Sequence, residues 1–235
     1  MKLSILIPAY NEEETIQEIL KKIEEVDLSK INLEKEIVIV NDGSTDNTEL
    51  KINEFLKNSN LNINLIKQEN QGKGGAIRTA IKHATGDIII IQDADLEYDP
   101  NDYNKLVMPI INKEAQVVYG SRRLNLDTGK KHSGFRFYAG GVILTFITNL
   151  LYNAKITDEP TCYKLFDSEI IKNINLKCKR FEFCPEVTAK VIKKGIKIKE
   201  LPISYYPRSV EEGKKINWKD GIEAVWTLIK YRFFN

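Results

Sequence analysis

Four consecutive isoleucines, residues 88–91, stand between Asp87 and Gln92 and run straight into Asp93-Ala94-Asp95-Leu96-Glu97. A strand that apolar has no side to show to water, so it belongs in a sheet covered on both faces. Short β-rich runs recur before and after it, at residues 3–8, 36–40, 63–67 and 116–120. Helix-period segments lie between them. Residues 15–25 put Ile16, Ile19, Leu20 and Ile23 on one face, and 49–57, 74–83 and 102–112 follow the same rule. Strands alternating with helices predict an α/β fold with a mostly parallel sheet flanked by helices. Ligands of such sheets bind beyond the carboxyl ends of the strands, so chemistry is expected in the segments that follow each one.

After Gly120 the rhythm changes. A basic, glycine-containing stretch leads into an apolar segment at 142–152, followed by a strand-like 162–166, a helix near 185–194 and a strand-like 196–206. In 142–152, Thr145, Thr148 and Asn149 cluster on one side of a helical projection, which predicts an amphipathic helix and not a membrane-spanning one. The last segment places Trp218, Ile222, Val225, Trp226, Ile229 and Phe233 on one face. No repeat, linker or low-complexity segment divides the 235 residues, a length that suits a single domain.

Lys and Arg total 35 against 33 Asp and Glu, and this balance argues against a nucleic-acid binder. The charges are segregated: acids gather at 93–102, bases at 122–136 and 208–215. The three cysteines, Cys162, Cys178 and Cys184, form no CxxC pair and are read as buried free thiols of a reducing cytosol. Met1-Lys2 leads directly into a strand, so no signal peptide is expected, and no apolar run reaches the roughly 20 residues of a spanning helix.

Each strand end carries a distinctive segment. The first gives Pro8-Ala9-Tyr10-Asn11-Glu12-Glu13-Glu14-Thr15, where Asn11 and Glu14 fit a capping box. The second gives Asn41-Asp42-Gly43-Ser44-Thr45-Asp46-Asn47-Thr48. A turn and helix cap explain its Gly43, Ser44 and Asp46, but they do not require Asp42, whose carboxylate suits a base or ribose. After the four isoleucines, alternation along an extended chain lets Asp93, Asp95 and Glu97 converge. Three close carboxylates repel one another unless a cation joins them, and hard oxygen ligands suit Mg²⁺ or Mn²⁺. A metal–phosphate complex there would disperse the charge of a departing nucleoside diphosphate. The glycine-rich Asn70-Gln71-Gly72-Lys73-Gly74-Gly75 opens a helix, so its backbone N–H groups and Lys73 could meet phosphate or sugar. Its spacing is not that of a P-loop, and a tight turn explains the glycines equally well.

Taken together and in order, PAYNEEETI, NDGSTDNT, NQGKGGAIRTA, QDADLEYDP and YGSRR resemble family 2 glycosyltransferases. Arg136, TDEPTCYKLF (157–166), RFEFCPEVTAK (180–190) and PISYYPRSVEEGKKI (202–216) are similar to the dolichyl-phosphate mannose synthase and polyprenyl-phosphate glycosyltransferase branch. The resemblance implies one GT-A domain over 1–235, with a donor half at 1–98 and an acceptor half at 99–235. It implies an inverting, metal-dependent transfer of a hexose from a GDP-mannose or UDP-glucose type of donor to a polyprenyl or dolichyl phosphate. Pro8, Tyr10, Glu12, Asp42, Lys73, Asp93, Ala94 and Asp95 would surround the donor, with Asp93, Asp95 and Glu97 near the metal. Arg122 and Arg136 would hold the acceptor phosphate and Arg208 the donor pyrophosphate, so Asp95 and these three arginines form the implied catalytic set. Many mannose synthases carry Gln where this chain has Glu97.

Two alternatives stay open. Transfer to a saccharide or protein hydroxyl would need a carboxylate base, for which Glu182 and Glu186 are candidates. A noncatalytic nucleotide-sugar-binding subunit would need no chemistry at all. Asp42 could accept from the N–H of uracil or guanine, so the base is undecided, as is the oligomeric state. The expected location is cytoplasmic, peripheral on the cytoplasmic face of the membrane. The helices at 140–152 and 218–234 are the candidate contacts, most of each closing the core and the last turn, 231–234, left to touch lipid.

Overall fold

The computed structural model describes residues 1–124, 134–208 and 217–234. The basic run predicted at 208–215 therefore lies, from residue 209 on, outside the described residues.

Seven strands form one sheet in the order β3-β2-β1-β4-β6-β5-β7. These are β1 (Lys2–Ala9), β2 (Glu34–Asp42), β3 (Asn62–Gln68), β4 (Ile88–Ile91), β5 (Val117–Ser121), β6 (Lys164–Asp167) and β7 (Ile198–Pro202). β1 pairs parallel with β2 and β4, and β2 with β3, in a register that sets Ile5 beside Ile37 and Ile90. β6 runs antiparallel between β4 and β5, while β5 and β7 are parallel. The sheet is thus mostly parallel with one reversed strand, as the alternation predicts. All four isoleucines of β4 are buried, with 0–1% exposure.

The helices are α1 (Ile16–Glu25), α2 (Thr48–Leu56), α3 (Lys73–His83), α4 (Tyr103–Ile111), α5 (Phe135–Tyr152), α6 (Ser168–Lys172), α7 (Phe183–Lys193) and α8 (Trp218–Phe233). α1 buries Ile16, Ile19, Leu20 and Ile23, the face that its periodicity predicts. The predicted capping box at Asn11 and Glu14 does not form. Thr15 is the N-cap without a side-chain bond, and Asn11 has φ 51 and accepts from Thr45 N instead.

Between β1 and β4 the strand order reverses, so the loops after these two strands part and leave a crevice. The carboxyl ends of β2 and β5 open on the same edge. Because β6 is reversed, the segment that enters it, residues 156–163, arrives at that edge too. This is how residues from the second half of the chain are brought beside those from the first.

α5 and α8 depart from expectation. The predicted apolar faces do not close the core. α8 instead buries Asp220, Ala224, Thr227, Leu228 and Tyr231. Tyr231 donates to Glu186 of α7, and the Tyr152 hydroxyl of α5 donates to the Leu228 carbonyl. Trp218, Ile222, Trp226 and Phe233 are 56–72% exposed. α5 does the same, burying Thr145 and Thr148 while Ile143, Phe146 and Leu150 are 55–71% exposed. α8 packs on α5 and α7, so its outward stripe extends well beyond the last turn.

Candidate active site

One cavity of about 2000 Å³ runs along the carboxyl edge of the sheet. Pro8, Tyr10, Glu12, Asp42, Lys73, Asp93, Ala94, Asp95, Glu97 and, against Asp95 and Glu12, Arg208 line one end, and Arg122 and Arg136 border the same cavity. It continues outward between α5 and α8 past Ile143, Ile222, Trp226 and Ile229. Every residue named from sequence for donor, metal or acceptor therefore borders a single space.

Within that space the residues do different things. Much of the first two motifs is spent on holding them together. Asn11 N donates to Ser44 Oγ at 3.0 Å, Glu12 N to Thr48 Oγ1 at 2.8 Å and Glu13 N to Asp46 Oδ2 at 3.1 Å. Asp42 is 2% exposed, and its carboxylate accepts from Gln68 Nε2, Gln71 N and Gly72 N at 2.6–2.9 Å. It therefore pins the glycine-rich loop to the end of β2. Several of the loop's N–H groups are already used: Gly72 N by Asp42, and Gly75 N by the Lys179 carbonyl at 3.0 Å. Its glycines admit another segment of backbone, since a Cβ on Gly72 would lie 2.5 Å from the Lys179 oxygen and φ there is +81°. Lys73 is what the loop delivers to the cavity, 2.6 Å from Asp93. Burial opposes the charge on Lys73, but Asp93 more than compensates and holds its pKa above the usual lysine value.

Asp93, Asp95 and Glu97 do not converge as a triad, and among the described residues no group of three His, Cys, Asp or Glu is arranged to hold a metal. The cause is local. Leu96 has φ 63, in the left-handed region, so the chain turns after β4 and the alternation of an extended strand is lost. Asp93 faces Lys73, and Asp95 lies 3.2 Å from Arg208 Nη2. Glu97 accepts from Arg208 N at 2.8 Å and from the Tyr205 hydroxyl at 3.1 Å, so it anchors residues 205–208. Burial first, then the charges of Asp93 and Glu97, push the Asp95 pKa up to about 7. This crowding of negative charge is what a divalent cation would relieve. A small cation needs only one or two carboxylates when phosphates and water complete its shell, so Asp93 and Asp95 fit Mg²⁺ or Mn²⁺ without Glu97.

On the acceptor side Arg122 is fixed by a residue that the sequence reading passed over. Fully buried Asp158 accepts from Arg122 Nε and Nη2, both at 2.7 Å, and from its backbone N at 2.9 Å. Burial alone would raise the Asp158 pKa, but the guanidinium holds it below the usual carboxylate value. The Tyr205 ring lies 5.0 Å from the Arg122 guanidinium carbon. Arg123 adds a link to α5, donating to Thr145 Oγ1 and to the Thr157 carbonyl. The sequence signal for Asp158 was slight, a charged residue among the polar ones of 157–161, and its burial with Glu159 and Lys164, all three 0% exposed, shows only in the fold. Arg136, in the first turn of α5, is exposed on the cavity wall.

Neither candidate base faces the cavity. Glu186 is 0% exposed and accepts from Lys177 N, Cys178 N, Lys190 and Tyr231. Burial acts against its charge, but these bonds hold its pKa below the usual value. Glu182 accepts from Lys179 N and Arg180 N. Asp220, the acid contributed by α8, caps its own helix through Asn217 N and pairs with Arg180.

Comparison with known proteins agrees with this architecture. A UDP-N-acetylglucosamine–dolichyl-phosphate N-acetylglucosaminyltransferase of Methanococcus voltae is 32% identical over 243 residues, covering 96% of this chain and 94% of its own. A dolichyl-phosphate β-glucosyltransferase of Trichomonas vaginalis is 29% identical, with 99% of this chain and 73% of the relative covered. The fold matches that of glucosyl-3-phosphoglycerate synthase from Mycobacterium tuberculosis, solved with Mn²⁺, UDP and phosphoglyceric acid. The TM-score is 0.74 at 18% identity, over 100% of this chain and 79% of that one. Residues 4–174 match glycosyl transferase family 2, and with the GT-A sheet and its cleft this makes the chain a member of that family and a glycosyltransferase.

Proposed function

We propose that the protein transfers a hexose from a nucleoside-diphosphate sugar to a polyprenyl or dolichyl phosphate at a membrane surface. One observation carries the reading: the cleft that begins at Asp93 and Asp95 passes the arginines and leaves the protein between two helices whose apolar sides face outward. Isolated apolar side chains on a surface need no explanation, but a continuous patch marks a contact with lipid or protein. Lys219, Lys230 and Arg232 lie beside the stripe on α8, an arrangement suited to anionic headgroups with the aromatics at the acyl boundary. No described helix is long and apolar enough to cross a membrane, and a peripheral contact through α5 and α8 is the form this reading takes.

The chemistry is consistent with a phosphate acceptor. A hydroxyl must lose its proton as it attacks and needs a base, whereas a monophosphate is largely dianionic above a pKa of about 6. Glu182, Glu186 and Asp220 are all committed to structural bonds, so none of these three, among the described residues, is placed to serve as a base for a hydroxyl. Arg122 Nη1 has no partner among the described residues and borders the cavity, so it and Arg136 would receive the acceptor phosphate. Arg208 Nε is buried with no hydrogen-bond partner among the described residues, which suits a donor placed for the diphosphate. Asp93 and Asp95 would hold Mg²⁺ or Mn²⁺, which when bound supplies charge stabilisation to the leaving diphosphate. Direct attack in a single displacement inverts the anomeric carbon. The dolichyl-phosphate acceptors in the names of the relatives support the same acceptor class.

The test is a panel of UDP- and GDP-sugars, radiolabelled in the hexose, incubated with Mg²⁺ or Mn²⁺ and vesicles carrying polyprenyl phosphate. Label should enter the lipid phase with one of the donors. Label appearing only in water-soluble saccharide, with every donor, would overturn the reading.

A further inference from the structure

Tyr205 touches both ends of the cleft. It is 6% exposed, and its hydroxyl donates to Glu97 Oε2 at 3.1 Å on the donor side. Its ring lies 5.0 Å from the guanidinium carbon of Arg122 on the acceptor side. Glu97 is held from the same segment twice more, by Arg208 N at 2.8 Å and by Tyr206 N, which donates to the Glu97 carbonyl at 2.9 Å. Arg122 is held from its edge by Asp158, which takes Nε and Nη2. The carboxylate therefore fixes the guanidinium within its plane, and the tyrosine ring supports it from the face. Tyr98 backs this arrangement, with its ring 5.5 Å from that of Tyr205 and an isolated β-bridge joining the two residues.

A phenylalanine would fill the same volume, so packing alone does not call for the hydroxyl. A leucine would keep the site apolar, so burial alone does not call for the ring. We infer that Tyr205 is a positioning residue that serves both substrates, its hydroxyl setting the Glu97 wall and its ring setting the Arg122 guanidinium. The distance between donor and acceptor groups is then fixed by the width of one side chain. In-line displacement needs that distance, because reactants held about 3–3.5 Å apart and aligned react far faster than freely diffusing ones. The inference rests on the assignment of Arg122 to the acceptor phosphate proposed above.

Two substitutions separate the two roles. Binding of UDP or GDP with Mn²⁺ is measured by calorimetry, alongside binding of farnesyl phosphate in detergent. Tyr205→Phe removes the hydroxyl's bond to Glu97 and keeps the ring, so nucleotide should bind about tenfold more weakly, with farnesyl phosphate within about twofold of the unaltered protein. Tyr205→Leu should match Phe for nucleotide and also weaken farnesyl phosphate about tenfold, through loss of the cation–π contact. Thermal unfolding is followed in parallel, and Tyr205→Met replaces Leu if Leu fails to fold. A purely structural tyrosine would lower both affinities together in both variants, and that result overturns the inference. So does a Phe variant with unaltered nucleotide binding, or a Leu variant no worse than Phe for farnesyl phosphate. The proposed function fails separately, if the unaltered protein binds nucleotide but transfers nothing to the prenyl phosphate.

Discussion

In α1, Ile16, Ile19, Leu20 and Ile23 recur at helical spacing, and all four are 0% exposed against the sheet. In α8, Trp218, Ile222, Trp226 and Phe233 recur at the same spacing and are 56–72% exposed, while Asp220, Thr227 and Tyr231 face inward. The periodicity is equivalent and the orientation is opposite. In α1 the sheet offers an apolar surface, and the stripe is buried there by the hydrophobic effect. α8 meets α5 and α7 through a small cluster in which Ala224 and Leu228 pack with Leu144, Tyr152 and Ala189, and polar bonds tie it there: Tyr231 donates to Glu186, Lys193 donates to the Tyr231 carbonyl, and Tyr152 donates to the Leu228 carbonyl. Burying a side chain of this size contributes roughly 1.5–3 kcal/mol, so leaving four outside forgoes a substantial stabilisation unless lipid covers them. The stripe of α1 is closed over by the sheet, whereas the stripe of α8 is left open.

The contrast predicts opposite phenotypes for one chemical change. Ile19→Asp places an unpaired charge in the core and should destabilise the fold by about 4 kcal/mol or more, read as loss of the cooperative melting transition. Ile222→Asp should leave stability within about 0.5 kcal/mol while reducing vesicle binding. Equal destabilisation by the two would mean that the stripe on α8 is covered by protein.

The next effect concerns chemistry in the donor half. Asp95→Ala should lower transfer about 10²–10³-fold, the size seen when one preorganised transition-state contact is lost, whether the acceptor is presented in vesicles or in detergent. EDTA should abolish transfer by the unaltered protein, and full activity in chelator would remove the metal from the account.

Smaller changes belong to the acceptor side. Arg136→Ala should raise the acceptor KM about 10–100-fold through loss of a charge-assisted hydrogen bond, with nucleotide affinity unchanged. Unaltered acceptor kinetics would exclude Arg136 from the phosphate site. The smallest is Phe233→Ala, on the exposed stripe but away from the cleft lining, which should weaken vesicle sedimentation about tenfold and leave transfer to a short acceptor in detergent within about twofold. Slower transfer in detergent would place Phe233 in catalysis instead of membrane contact.

The order of strands and helices was legible because each element carries its own period, and the doubly covered isoleucine strand required helices on both faces. The residues bordering the cleft were legible because parallel sheets open at the carboxyl ends of their strands. What a carboxylate does once it arrives there was not. Alternation would join Asp93, Asp95 and Glu97, but one residue at φ 63, Leu96, turns the chain and gives each acid a different partner. The glycines of residues 72–75 were open to two readings, and the close approach of Lys179 and Arg180 favours backbone packing. Asp158 was missed because its role depends on a reversed strand that brings residues 156–163 beside β5, a pairing between segments distant in sequence. The direction of α5 and α8 escaped for a related reason: a periodic stripe identifies a helix but does not say which side the rest of the protein lies on.

We propose that the acceptor attacks through a phosphate that is already ionised, and that the described acids Glu182, Glu186 and Asp220, all held in structural bonds, do not act as a base. The most direct measurement compares a short polyprenyl phosphate with the corresponding polyprenol as acceptors, using one donor sugar with Mn²⁺ in detergent. The two share their apolar chain and differ only at the nucleophile. With Arg122 and Arg136 placed for the phosphate and Glu186 buried in structural bonds, kcat/KM should favour the phosphate by at least about 10³-fold. Comparable rates with the alcohol would show that the cleft contains a working base and that the proposed acceptor is wrong.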